Sequence, residues 1–175
     1  MKTLTSIALI TLSLFLFSFK PLKHETIKFP NLSLTDLNGK KLQDSELNSG
    51  KTTIICFWSV FDLTSIETVN AIYEAYSSKK DEVRIIAVST DNNFDQARAK
   101  VLFLGWNFEV YSDPNQDYKR SMGVGNIQMT FVTDVDGQII YSAADNKSQD
   151  EMVLFDAIDN TIASNSERHL IVRAN

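Results

Sequence analysis

The chain has 175 residues, 43% of them hydrophobic and 22% charged, with a formal net charge of −5 at pH 7. That length suits one domain with a proper core and is short for two, and the balance is that of a folded globular protein. A single cysteine, Cys56, excludes any internal disulfide, structural or catalytic.

The first 24 residues differ in kind from the rest. Lys2 precedes an apolar run from Ile7 to Phe19, and Lys20 and Lys23 follow it. The run is too short to span a bilayer comfortably and has the charged flank of an export signal. Residues 1–24 are therefore read as a signal peptide, with Ser18 as the small residue ahead of a cleavage point. An uncleaved membrane anchor is the alternative. Three of the lysines lie in this leader, so the remainder carries a charge near −8. Such an acidic body, without a basic run, points away from nucleic acid and anionic lipid as partners.

In chain order, "TIKFPNLSLTDLNGKKLQDSEL" predicts two short strands turning at Asn38-Gly39, where both central residues are expected to take positive φ. "TTIICFW" is apolar at consecutive positions and rich in β-branched residues, as in a central strand covered on both faces. A helix over about 64–80 follows, with Ile66, Val69, Ile72, Tyr73 and Tyr76 on one face and "TSIE" (Thr64 to Glu67) as a capping box. "VRIIAVST" (83–90) is a second buried strand. Asp91 to Asn93 offer caps for a helix burying Phe94, Ala97, Val101 and Leu104 and closed by Gly105. "FEVYSD" (108–113) is a strand, and Pro114 suits the first turn of a short helix ending at Gly123. "MTFVTDVDGQIIYSA" is a hairpin turning at Asp136-Gly137. A last helix over 148–164 turns Met152, Phe155, Ile158 and Ile162 inward, and residues 166–175 are left as a tail. Strands alternating with helices, then a hairpin and a helix, predict an α/β domain over 25–165, a mixed sheet flanked by helices on both faces with an N-terminal β-hairpin.

This order, with several local motifs, resembles the thioredoxin-like fold and within it the exported TlpA/ResA type of thiol-disulfide oxidoreductase, which is redoxin/AhpC-TSA-like. The resemblance runs from about Phe29 to Ser164. It is carried by Phe57 and Trp58 ahead of the turn, and by Gly123, Val124, Ile127, Thr130, Phe131, Asp134, Asp136 and Gly137 around the last hairpin. With Phe57-Trp58 aligned, the Cys-x-x-Cys that the resemblance implies falls on Asp62-Leu63-Thr64-Ser65, and the cis-proline falls on Gln128. Both cysteines and the proline are missing.

A Cys-x-x-Cys pair works because the helix N-terminus lowers the pKa of its first sulfur and the second resolves the mixed disulfide. Asp62 keeps an anion at that position and cannot attack a disulfide. Asp62 is read first as a pre-helix acid, and more sharply as a group that binds a partner's N–H or cation. Thr64 and Ser65 are caps rather than nucleophiles, because no histidine lies nearby in sequence. Cys56 inside its strand reads as a small buried hydrophobe. Trp58 is expected under the first helix and Phe61 at the surface. Without proline, the Ile127–Gln128 bond is expected trans, since a cis form there costs about 3–4 kcal/mol. Asp134 and Asp136 are hairpin-turn residues, and no metal or cofactor site is expected.

The expectation for function is a binding or interaction module without dithiol chemistry, with enzyme status left open. It would use Phe61, Asp62, Leu63, Ile127 and Gln128 to engage an exported protein or peptide in the periplasm or cell envelope. The alternatives are a single-cysteine redoxin acting through Cys56 with an external thiol, and a membrane-tethered scaffold.

Overall fold

The structure is a computed structural model that describes residues 34–42, 49–123, 129–144 and 148–173. The expected signal peptide or anchor, most of the expected first strand of the entry hairpin, Val124, Ile127 and Gln128 lie outside the described residues. The elements are β1 (Thr35–Asp36), β2 (Thr52–Trp58), α1 (Leu63–Tyr76), β3 (Val83–Ser89), α2 (Phe94–Leu104), β4 (Glu109–Ser112), α3 (Asp117–Ser121), β5 (Met129–Thr133), β6 (Ile139–Ala144) and α4 (Ser148–Arg173). They form one mixed sheet in the order β1-β4-β3-β2-β5-β6. Strands β2, β3 and β4 run parallel, while β1, β5 and β6 pair antiparallel with their neighbours.

The consecutive apolar run of β2 places it in the middle, and all seven of its residues are buried. Alternation along the strand divides them between two cores. Ile54, Cys56 and Trp58 face a large core built with α1, α2 and α4; Ile55 and Phe57 face a smaller one with Leu34, Leu42, Tyr118 and Phe131. The crossovers β2–α1–β3 and β3–α2–β4 advance the same way across the sheet, and right-handed connections then set both helices on one face. Among the described residues the other face carries only the short α3 and the Leu34 and Leu42 segment. Helices do flank both faces, unequally.

Several local expectations change. α1 stops at Tyr76, not near residue 80, and its cap is Asp62 rather than the Thr64–Glu67 box. Both hairpin turns are built as Asp-x-[Asn/Asp]-Gly, and only the glycine has positive φ, 84° at Gly39 and 75° at Gly137. In each, the leading aspartate takes over the second contact. Asp36 Oδ1 accepts from the Asn38 and Lys40 amides, and Asp134 Oδ1 accepts from those of Asp136 and Gln138. These are type I turns closed by a left-handed glycine, the usual three-residue hairpin loop. Pro114 sits in a turn ahead of α3, and Gln116 takes the left-handed conformation that starts that helix.

α4 is the largest departure. Its inward face is Leu154, Ile158 and Ile162, with Phe155 half-buried, while Met152 is 69% exposed. Residue 152 is two positions from Leu154, about 200° around the helix. The helix also continues through most of the segment expected to be a tail. The polar break at Ser164–Ser166 is absorbed: Asn165 Nδ2 donates to Thr52 Oγ1 at 2.8 Å, and the two serine hydroxyls donate to carbonyls one turn back. Arg168 beyond it donates to Asp136 at 3.1 Å.

Truncating Leu154 to alanine should cost about 2–5 kcal/mol by urea denaturation, whereas Met152→Ala should stay within about 0.5 kcal/mol. The reverse ranking would place the inward face of α4 on the other side.

Candidate functional site: the β2–α1 turn

Ser59-Val60-Phe61-Asp62 leaves the carboxyl end of β2 and closes as a turn, with the Asp62 amide donating to the Ser59 carbonyl at 3.1 Å. Ser59 is buried, so each of its polar groups needs a partner. Its amide donates to Ser65 Oγ at 3.2 Å, and its hydroxyl donates to Asp91 Oδ1 at 2.6 Å while accepting from the Phe61 amide at 3.3 Å. Asp91 Oδ2 accepts from the Val60 amide at 2.9 Å and from Ser89 Oγ at 2.8 Å. A buried carboxylate at the end of β3 thus grips the turn at the end of β2, next to it in the sheet.

Asp62 is the N-cap of α1. Its Oδ1 accepts from the Thr64 amide at 3.1 Å and the Ser65 amide at 3.3 Å, so a carboxylate occupies the positive end of the helix dipole. Ser65, three residues into the cap motif, is buried and donates its hydroxyl to the Asp62 carbonyl at 2.8 Å. Asp62 and Ser65, the two residues expected from the resemblance at the positions of a cysteine pair, are therefore brought together at the helix start. Thr64 is exposed and donates its amide to the cap.

The turn also sorts its aromatic residues as expected. Trp58 is buried against Trp106, ring centroids 4.8 Å apart and nearly perpendicular, a favoured aromatic geometry. Trp106 Nε1 donates to Asn70 Oδ1 at 2.7 Å and ties the stack to α1. Phe61 is 80% exposed and Leu63 69% exposed, one on each side of Asp62 in the chain. The other half of the expected surface, Ile127 and Gln128, lies outside the described residues, as does the expectation of a trans bond between them.

Cys56 is elsewhere. It is 1% exposed in the middle of β2, between Ala87 of β3 and Thr130 of β5. Burial pushes its thiol from 9.0 up to about 12, with a Thr130 hydrogen bond pulling weakly the other way. A thiol held neutral in a closed core is a poor nucleophile. Asp134 Oδ1 is taken by backbone amides, and among the described residues no cluster of potential ligands could hold a metal ion. No helix among them is long and apolar enough to cross a membrane.

Asp91 is the residue that sequence reasoning misplaced. It was expected among the caps of α2, but Asn93 caps that helix through the Gln96 amide. The only sequence signal was an acid directly after a buried parallel strand, where the topology turns its side chain toward the neighbouring strand's loop.

The AhpC/TSA family matches residues 26–142. The thiol-disulfide oxidoreductase ResA of Bacillus thuringiensis (strain Al Hakam) is 27% identical over 124 residues, spanning 70% of this chain and 71% of that protein, and ResA of Bacillus anthracis gives the same figures. The solution structure of a thioredoxin-like protein from Porphyromonas gingivalis is 33% identical, with a TM-score of 0.68, over 77% of this chain and 92% of that one. The thioredoxin domain of a thiol-disulfide oxidoreductase from Bacteroides vulgatus, 17% identical over 79% of this chain and 95% of that one, is alike in fold with a TM-score of 0.64.

Asp91→Ala should destabilise the protein by about 3 kcal/mol or more, because it strands two buried hydroxyls and an amide that now bond to its side chain. Asp91→Asn should cost less, and Asp62→Ala about 1 kcal/mol as a lost cap; urea denaturation measures all three. The folded-state pKa of Cys56 lies above its unfolded value. Its stabilising contribution is therefore complete below about pH 9 and lost as pH rises through about 12. The stability difference between wild type and Cys56→Ala should shrink across that window.

Proposed function

The chain belongs to the AhpC/TSA family, matched over residues 26–142, and from that premise we propose that it is an exported binding module with a thiol-disulfide-oxidoreductase-like thioredoxin fold and no dithiol exchange of its own. The observation that carries this reading is the separation of thiol and site. The chain's one cysteine is locked in the core of β2, while the exposed turn at the start of α1 holds Asp62 and Ser65 where the resemblance implies sulfur.

Dithiol exchange needs an accessible, low-pKa thiolate and a second sulfur to resolve the mixed disulfide. Cys56 offers neither property, and burial with a raised pKa gives no support to a single-cysteine redoxin working through it. What the turn does offer is a rigid mount for two exposed apolar side chains. Phe61 and Leu63 stand in open solvent on a turn whose backbone groups are fixed by Ser59, Ser65 and Asp91. Preorganisation of that kind lowers the ordering cost of binding, and an exposed aromatic flanked by an acid suits a peptide or protein partner. The proposed surface also takes in Ile127 and Gln128. The partner would be an exported protein or peptide, met in the periplasm or cell envelope on the strength of the leader in residues 1–24. The acidic body disfavours nucleic acid.

Affinity capture from the envelope tests the reading, with wild type beside a Phe61→Ala, Asp62→Ala double variant and a Cys56→Ala variant. Loss of one dominant partner in the double variant, with retention in Cys56→Ala, is the expected result. Retention in the double variant would move the working surface elsewhere.

Native thiol labelling supplies an independent check. With its pKa raised from 9.0 to about 12, Cys56 should react roughly a thousandfold more slowly than a free thiol near pH 8, and at full rate only after denaturation. Rapid native labelling would instead support a working thiol.

A further inference from the structure

The opposite end of the sheet carries a second feature. Lys51 precedes β2, Val83 and Arg84 open β3, and Glu109 opens β4. Together with the carboxyl end of α1 they enclose a cleft of about 420 Å³. Seven-residue strands separate it from the β2–α1 turn by about 20 Å. Its size falls within the range of about 300–1,000 Å³ typical of small-molecule sites.

One wall is aromatic. The rings of Tyr73 and Phe108 lie 4.8 Å apart and are tilted by 31°, and the Tyr73 hydroxyl donates to Asn107 Oδ1. Val83 and Ile85 add aliphatic surface, and the Tyr76 ring lines the same space. The charges are lopsided. Lys51, Lys80 and Arg84 line the cleft, against Glu109 as the one carboxylate among its described lining residues. Arg84 takes both oxygens of Glu109, Nε to Oε1 at 2.7 Å and Nη2 to Oε2 at 2.6 Å, and the Tyr111 hydroxyl donates to Oε2 at 2.9 Å. Arg84, with Lys51 at longer range, compensates Glu109 within the protein, and three cations against that carboxylate leave an excess of two positive charges at the rim. Lys51 Nζ donates to the Lys80 carbonyl at 2.7 Å, which holds that ammonium beside the Lys80 segment. The carboxyl end of α1, at Ser77, contributes about half a negative charge, less than the two lysines supply.

An aromatic wall under a doubly cationic rim, in a chain with net charge −5, selects a ligand complementary in both respects. We propose that this cleft binds a small organic anion, an aromatic body bearing one carboxylate or sulfonate, with the ring against Tyr73 and Phe108 and the acid toward Lys51 and Lys80. This site is independent of the partner surface at Phe61.

Anilinonaphthalenesulfonate, titrated by fluorescence into the full chain, is the probe, with neutral N-phenylnaphthylamine as its comparator. The sulfonate should bind with one-to-one stoichiometry, and both the neutral comparator and a Lys51→Glu, Lys80→Glu double variant should bind roughly tenfold more weakly, about 1.4 kcal/mol. Phe61→Ala should leave binding unchanged. Ring-proton shifts of Tyr73 and Phe108 should move with saturation in the wild type, which locates the probe even if the double variant folds poorly. Absent binding, undiminished binding in the charge-reversed protein, loss in Phe61→Ala, or unmoved Tyr73 and Phe108 rings would each overturn the assignment.

Discussion

The grip of the Asp91 carboxylate on the β2–α1 turn is the constraint on which the rest of the site depends. Parallel strands β2 and β3 end side by side, and a chain leaving a buried strand carries amides that need partners. Asp91 supplies one for Val60 and accepts the Ser59 and Ser89 hydroxyls. Ser59 in turn receives the Phe61 amide and reaches Ser65 inside α1. Strand end, turn and helix start therefore form one connected polar unit. Phe61 and Leu63 project from a fixed base rather than from a mobile loop, and their exposure is a property of the fold.

The electrostatics of the turn and the position of the sulfur are decoupled in this chain. A helix N-terminus stabilises whatever anion sits at its cap, and here the anion is a carboxylate bonded to the amides of Thr64 and Ser65. The sulfur lies in β2, in surroundings that oppose its ionisation. With both bonds going to backbone amides of the first turn, the cap geometry serves helix stability and presentation of the tip. In this chain the helix start carries the Asp62 carboxylate and the sulfur lies apart from it, inside β2.

Features with a local cause were legible in the sequence. The buried run of β2, the Ile66–Val69–Ile72–Tyr76 face of α1 and the left-handed Gly105 cap of α2 all follow from neighbours within one or two turns. So did the exposure of Phe61 and the burial of Trp58. The misses share a different cause, contact between residues far apart in the chain. Asp91 reaches residues 31 and 32 positions earlier, and Asn165 carries α4 across a polar break by bonding to Thr52, 113 positions away. The face of α4 was ambiguous because Met152, Leu154 and Phe155 offer overlapping apolar stripes, and the packing against β2 and α1 chose the second. At the first hairpin, the expected positive φ at Asn38 is replaced by the Asp36 side chain acting as a second acceptor, and Asp134 does the same at the last hairpin.

The most direct measurement of the central claim is reduction of insulin disulfides by the purified protein in the presence of dithiothreitol, followed beside an authentic dithiol oxidoreductase at equal concentration. A scaffold whose only thiol is closed inside β2 should leave the uncatalysed rate unchanged, and Cys56→Ala should trace the same curve as wild type. Turnover comparable to the dithiol protein, lost in Cys56→Ala, would contradict the account.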